Sequence, residues 1–327
     1  RVWHDVYVTG TTNYVTDIQS VTWTKEGSAG SSYNTNSYVL VQGFEINGTV
    51  VTNTTCGLAP ANDHYIDNVG YASTAAAGLD EGSINPIRAS VGTEQGFSII
   101  QWTGTGSNET ISHGLNQSPE FIIISGGSPG IPLYHPDRDT APSSLYLRLN
   151  SASTHSGGVF RDAEFTDSVF AVSGDNIVNS SGDLMTAYLW HSVPGYSAIG
   201  SFEGTGSRYG PLIELGFRPA FVMFKTTPNN WNWRIHDSER EYTTGTDVIS
   251  GVFNTQWNYL EANTTAAQST TYSRSYYYQH ASIDFLSNGF KLHTENDSYN
   301  YNGLRTYYIA FAERPSFAKN FSSPNAR

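Results

Sequence analysis

Residues 96–124 read GFSIIQWTGTGSNETISHGLNQSPEFIII, and residues 195–225 read GYSAIGSFEGTGSRYGPLIELGFRPAFVMFK. Both open on Gly, an aromatic residue and Ser, pass a second aromatic (Trp102, Phe202) into Gly-Thr-Gly-Ser, and end on Pro-x-Phe and an apolar run. Gly104 pairs with Gly204, Pro119 with Pro219 and Phe121 with Phe221 at one constant offset. Further on, Tyr134-His135 aligns with Ile235-His236, Leu145-Tyr146-Leu147 with Asn258-Tyr259-Leu260, and Ser168-Val169-Phe170 with Asn288-Gly289-Phe290. Thr186 to Trp190, followed by Pro194, closes the first copy as Tyr307 to Phe311, followed by Pro315, closes the second. So long an ordered set of matches identifies a tandem duplication, and a repeat decides the architecture before any local pattern does.

Each copy reads as antiparallel β. Glu120 to Ser125, Ala220 to Lys225, Thr186 to His191 and Tyr307 to Ala312 are short, rich in β-branched and aromatic residues, and bounded by Gly, Pro, Asn or Ser. The glycines at 104, 106, 204 and 206 shape a loop, by positive φ or close backbone approach. They do not read as a phosphate cradle, because neither copy has the following helix or a Gly-Lys-Ser/Thr ending. The expectation is an all-β chain of tandem antiparallel β-sandwich domains at 96–194 and 195–317, with a tail at 318–327. Residues 1–95 fall outside the repeat and form an additional β-rich N-terminal region. There Tyr14 to Thr24, Tyr38 to Glu45 and Val50 to Thr52 alternate like strands, Ala72 to Ala77 reads as a short helical turn or loop, and Gly27 to Asn36 is a Gly/Ser/Asn tract.

Composition narrows the function classes. Only 14% of the 327 residues are charged and the net charge is -12, which argues against sequence-independent nucleic-acid binding, since that needs a positive face. Lysine occurs only at Lys25, Lys225, Lys291 and Lys319. Cys56 is the single cysteine, so neither an intrachain disulfide nor a cysteine zinc cluster is available. No apolar run reaches the roughly 18 residues of a membrane helix. The opening on Arg1, without an initiator Met or signal peptide, is expected of a processed or truncated piece.

The strings G-T-G-S-N-E-T-I-S-H-G-L with P-E-F-I-I-I, S-S-G-D-L-M-T-A-Y-L-W-H-S-V-P-G-Y-S, G-F-R-P-A-F-V-M-F-K, I-D-F-L-S-N-G-F-K-L and A-F-A-E-R-P stand in order between Gly96 and Pro315. Together they resemble the tail-fibre-like virion proteins of marine phages, especially cyanophages. Tyr38 to Asn53 is similar to a segment that precedes the repeats in that family, sometimes as the end of a lectin-like sandwich, although the stretch from Cys56 to Ala89 is expanded here. The resemblance implies a non-enzymatic bacteriophage structural protein of a tail fibre or appendage, located on the virion and contributing to host attachment. It implies a homo-oligomer, by fibre analogy a trimer, with other virion tail proteins and a host-surface glycan or protein as partners. No catalytic residue and no cofactor come with it. One alternative is a carbohydrate-binding receptor-recognition tip, and a second is a polysaccharide-degrading tailspike.

Candidate chemistry is sparse. His135 and His236 align between copies, with Asp137 and Asp237 nearby, but neither has a second histidine at metal-ligand spacing, so an architectural use such as an Asx turn is preferred and no metal is expected. A glycan-cleaving pair needs two converging carboxylates, and the densest acidic stretch is Asp137, Asp139, Asp162, Glu164 and Asp167. The receptor- or interface-contact candidates are aromatic: Trp231 and Trp233, and the cluster Tyr272, Tyr276, Tyr277 and Tyr278. Aromatic rings with polar tips stack on sugars or bury well at interfaces. Strand alternation at 231–233 would put one of the two tryptophans inside. Asn-x-Ser/Thr triplets at Asn47, Asn53, Asn108, Asn179, Asn263 and Asn296 mark glycan acceptors only in a compartment that uses them.

Overall fold

The computed structural model describes residues 44–46, 49–51, 63–127, 130–137, 145–228, 230–240, 255–256, 258–268 and 283–314. Regular structure there is almost entirely β. Strands β1 (Phe44–Ile46) and β2 (Thr49–Val51) pair antiparallel; they overlap the ends of the alternating segments at 38–45 and 50–52, whose other residues lie outside the described ones. Residues 72–77 form a turn, closed by Leu79 N–H donating to Thr74 O at 2.8 Å.

The first half runs through β3 (His64–Ile66), β4 (Val69–Tyr71), β5 (Arg88–Gly92), β6 (Phe97–Thr103), β7 (Glu109–Ser112), β8 (Phe121–Ser125), β9 (Pro132–Tyr134), β10 (Leu145–Arg148), β11 (His155–Ser156), β12 (Val169–Val172), the one-turn helix α1 (Asn176–Asn179) and β13 (Leu184–Trp190). The second half runs through β14 (Ser197–Glu203), β15 (Leu212–Glu214), β16 (Pro219–Thr227), β17 (Arg234–Asp237), β18 (Thr255–Gln256), β19 (Leu260–Glu261), β20 (Ile283–Leu286), β21 (Gly289–Leu292), the one-turn helix α2 (Asp297–Asn300) and β22 (Arg305–Ala312).

The two halves share one wiring. In the first, β6, β13, β8, β9 and β10 lie side by side in one sheet while β7 pairs with β12 in another; in the second, β14, β22, β16, β17 and β19 lie side by side while β15 pairs with β21. Register agrees to the residue in the central strands. Ile100 faces Ala187 as Gly200 faces Tyr308, and Ile122 faces Leu189 as Val222 faces Ala310.

The edges differ. The first sheet grows to nine strands in the order β11-β10-β9-β8-β13-β6-β5-β3-β4, with β3 parallel to β5 and every other neighbour antiparallel. The 95/96 boundary drawn from the repeat therefore falls within a continuous sheet, because β5 pairs with β6 from Arg88–Gln101 to Gly92–Phe97.

Burial explains why the long strands are apolar on both faces. Ile122, Ile124, Tyr134, Met185 and Leu189 point into a core closed from the other side by Ile111, Phe170 and Val172 of β7 and β12. In the second half Val222, Phe224, Tyr308 and Ala310 do the same against Ile213, Phe285, Phe290 and Leu292 of the smaller sheet. The alternate residues, Phe121, Leu133 and Leu147 from the first half and Met223, Trp233, Tyr307 and Ile309 from the second, meet in a third core. Residues from the large sheets of both halves thus share one apolar seam, in addition to the core that each half has of its own.

Candidate functional site

The Gly-Thr-Gly-Ser loop is held by the same three hydrogen bonds in both halves, and its lock is a buried asparagine. Asn179 Oδ1 accepts from Thr105 N–H (3.2 Å), and its Nδ2 donates to Ser107 O (2.7 Å); Asn300 Oδ1 accepts from Thr205 N–H (2.7 Å), and its Nδ2 donates to Ser207 O (2.7 Å). Gly106 N–H and Gly206 N–H donate to the carbonyls of Asn179 and Asn300, each at 2.8 Å. Approach is so close that a Cβ on Gly104 would stand 2.0 Å from Ser180 O and one on Gly204 2.2 Å from Tyr301 O, while Gly106 and Gly206 have φ of +73° and +63°. Sequence reading found the glycines and missed the asparagines. The signal was Asn-x-x-Gly ahead of the last strand in both copies, at Asn179 to Gly182 and Asn300 to Gly303. With its amide so committed and no exposed surface, Asn179 is removed from the candidate glycan acceptors.

The pairing of His135 with His236 is corrected by the strand register. Val222 faces His236 and Ile122 faces Tyr134, while Ile123 faces Leu133 as Met223 faces Ile235. Tyr134 is therefore the counterpart of His236, and the two histidines lie on opposite faces, since one residue's slip inverts the pleat. His135 is buried in the inter-half seam, its ring 4.9 Å from that of Tyr307, with Asp137 N–H donating to its Nδ1 at 3.2 Å. His236 points into the second half's own core, sharing a 2.9 Å hydrogen bond with Tyr299 Oη. Burial, helped by Arg234 and Arg240, lowers its pKa to about 3. His113 is likewise lowered to about 4 by burial.

The carboxylates also find structural partners. Asp237 accepts from Glu239 N–H at 3.1 Å in an Asx turn and pairs with Arg240 at 2.6 Å. Asp162, Glu164 and Asp167 are exposed on a short 3₁₀ turn and its exit, where Glu164 pairs with Arg161. Asp139 lies outside the described residues. Among the described residues no group of three or more His, Cys, Asp or Glu could hold a metal ion, and no helix is long and apolar enough to cross a membrane.

The aromatic candidates separate. Trp233, 1% exposed, belongs to the seam, where its Nε1–H donates to Arg148 O at 2.8 Å, so it is unavailable to a receptor and serves as a contact between the two halves. Trp231, partly exposed, lies with its ring centroid 5.7 Å from that of Tyr301, which is 39% exposed. Tyr272, Tyr276, Tyr277 and Tyr278 lie outside the described residues, as do Tyr14 to Thr24 and Cys56. Behind Trp231 sits Lys225, buried in the seam with Nζ donating to the carbonyls of Trp231 and Ala152. Desolvation, reinforced by Arg234, lowers its pKa to about 8.

A family model described as a domain of unknown function (DUF7483) matches residues 12–315. No curated protein and no solved structure matches the chain.

Proposed function

The chain belongs to this family of domains of unknown function (DUF7483), and we propose that it is a non-enzymatic structural protein of a bacteriophage tail fibre or appendage that contributes to host-surface attachment. The observation that carries the reading is the use to which the chemistry-bearing residues are put: His135, His236 and Asp237 are committed to packing, a core hydrogen bond and a turn, as a load-transmitting scaffold requires. The ordered strings from Gly96 to Pro315 that resemble tail-fibre-like virion proteins support the same reading. Such a protein works as a homo-oligomer, here a trimer among other virion tail proteins, because several weak contacts with a cell-surface glycan or protein multiply through avidity.

A receptor-recognition tip is the second reading, favoured by the partly exposed Trp231 and Tyr301 rings. Two measurements test the leading one. Sedimentation equilibrium of the purified chain is expected to return three times the chain mass, and immunogold labelling of virions is expected to decorate the tail or its appendages. Label confined to the capsid interior, or to no virion component, sinks the proposal.

A further inference from the structure

The two halves provide an internal control for what the fold itself demands. Asn179 and Asn300 close the same clasp, and the residues after them, Ser180 and Tyr301, take the same backbone, with φ -57°, ψ 128° and φ -62°, ψ 130°. At this place the first half carries a hydroxyl and the second a phenol ring. The adjoining loop differs as well. Residues 126–131 connect β8 to β9, while the matching stretch 226–233 is two residues longer, its first two extending β16, and contains Trp231. Since the first half forms the clasp with neither ring, the Trp231–Tyr301 pair is surplus to the architecture, yet it leaves aromatic surface in water.

The backbone at Trp231 and the side chain next to it are held by hydrogen bonds, and the chain around the two rings is rich in amides. Lys225 holds the Trp231 carbonyl from behind. Asn232 is fixed on both sides, accepting from Asn263 Nδ2 at 2.8 Å and donating to Glu261 Oε2 at 2.6 Å. Asn230 and Asn302, neighbours in sequence of the two rings, are exposed. Arg234 is neutralised by Glu261, and the chain's net charge of -12 repels acidic ligands. Two partly exposed aromatic rings, tilted 39° to one another and each next in the chain to an exposed asparagine, suit a molecule with apolar C–H faces and a girdle of hydroxyls.

The geometry points to a saccharide-binding platform, on which Trp231 and Tyr301 stack against one neutral pyranose unit while Asn230 and Asn302 meet its hydroxyls. This deepens the attachment reading and rests on it: the platform is the part of the appendage that touches the cell. One stacked ring binds weakly, and oligomerisation supplies the rest.

The test titrates the full chain with maltohexaose, cellohexaose and N-acetylchitohexaose, read by saturation-transfer NMR and tryptophan fluorescence, in the wild type, Trp231→Ala and Tyr301→Ser. Tyr301→Ser installs the residue that the first half already uses, so an unchanged Tm is expected. At least one neutral probe is expected to bind the wild type, and each substitution to weaken it by about tenfold. No binding by any of the three, full affinity retained in both variants, or a loss of assembly mass in either variant, which would assign the rings to a second copy, overturns the platform. Saccharide binding lost in the variants while immunogold finds no virion label upholds the platform and removes the appendage reading alone.

Discussion

At the scale of single residues, the buried bases set how stability responds to pH. His236 and His113 are neutral in the fold, with pKa lowered to about 3 and about 4 from an ordinary 6.5. Between those values and 6.5 the unfolded chain binds more protons than the folded one, so stability is full above pH 6.5 and is lost as pH falls through the folded values. His113 alone accounts for about 3 kcal/mol of this loss by pH 4. Chemical denaturation at pH 7, 5.5 and 4.5 is expected to show a falling midpoint in the wild type and a shallower fall in His236→Phe; parallel curves would refute the assignment. Lys225 acts at the other end of the scale. Its pKa, lowered from 10.5 to about 8, means that holding the ammonium in the seam costs stability below pH 8, and that stability rises between 8 and 10.5. Tyr299 and Tyr308, both raised by burial, pull the opposite way above pH 10. The informative quantity is thus the difference between Lys225→Met and wild type, expected to shrink as pH is raised from 8 to 10.

At the scale of elements, the loop-and-helix clasp is the unit that the duplication preserved, and its cost of disruption is local and steep. Asn300→Ala strands Thr205 N–H and the carbonyls of Ser207 and Thr294, for an expected loss of about 3 kcal/mol. Gly104→Ala meets the Ser180 carbonyl at 2.0 Å and is expected to be at least as damaging, whereas Gly158→Ala, with nothing within 4 Å of the new methyl, is expected to leave the midpoint of thermal unfolding within a degree or two. Equal effects at 104 and 158 would show that the clasp is not the constraint. The glycines were legible in the sequence because a missing side chain is visible as a letter; the asparagines were not, because each amide is fixed by a partner 74 or 95 residues away. His135 was misplaced for a related reason. Matching it to His236 by letter ignored the parity of the pleat, which only the ladder of Ile123 with Leu133 and Met223 with Ile235 fixes.

At the scale of the whole molecule, the repeat was legible and the way its copies meet was not. A run such as Phe121 to Ile124 states that both faces of a strand are buried, but not that one face looks into its own half and the other into its sister. Because Phe121, Leu133 and Leu147 share a core with Met223, Trp233, Tyr307 and Ile309, neither half can leave the other without exposing a full apolar sheet face. Polar groups reinforce the seam, with Trp233 donating to Arg148 O and Arg305 to Asp137 O. The chain is therefore expected to unfold calorimetrically in one transition across 63–314, with van't Hoff and calorimetric enthalpies in agreement. Trp233→Ala, which removes the largest fully buried side chain of the seam along with its hydrogen bond, should cost about 3–5 kcal/mol and split the endotherm in two if each half retains a core of its own. A fragment of residues 195–317 alone should bind a hydrophobic dye and self-associate. Two well-separated transitions already present in the wild type would mean that the seam is too weak to couple the halves, and that the shared core contributes little to holding them together.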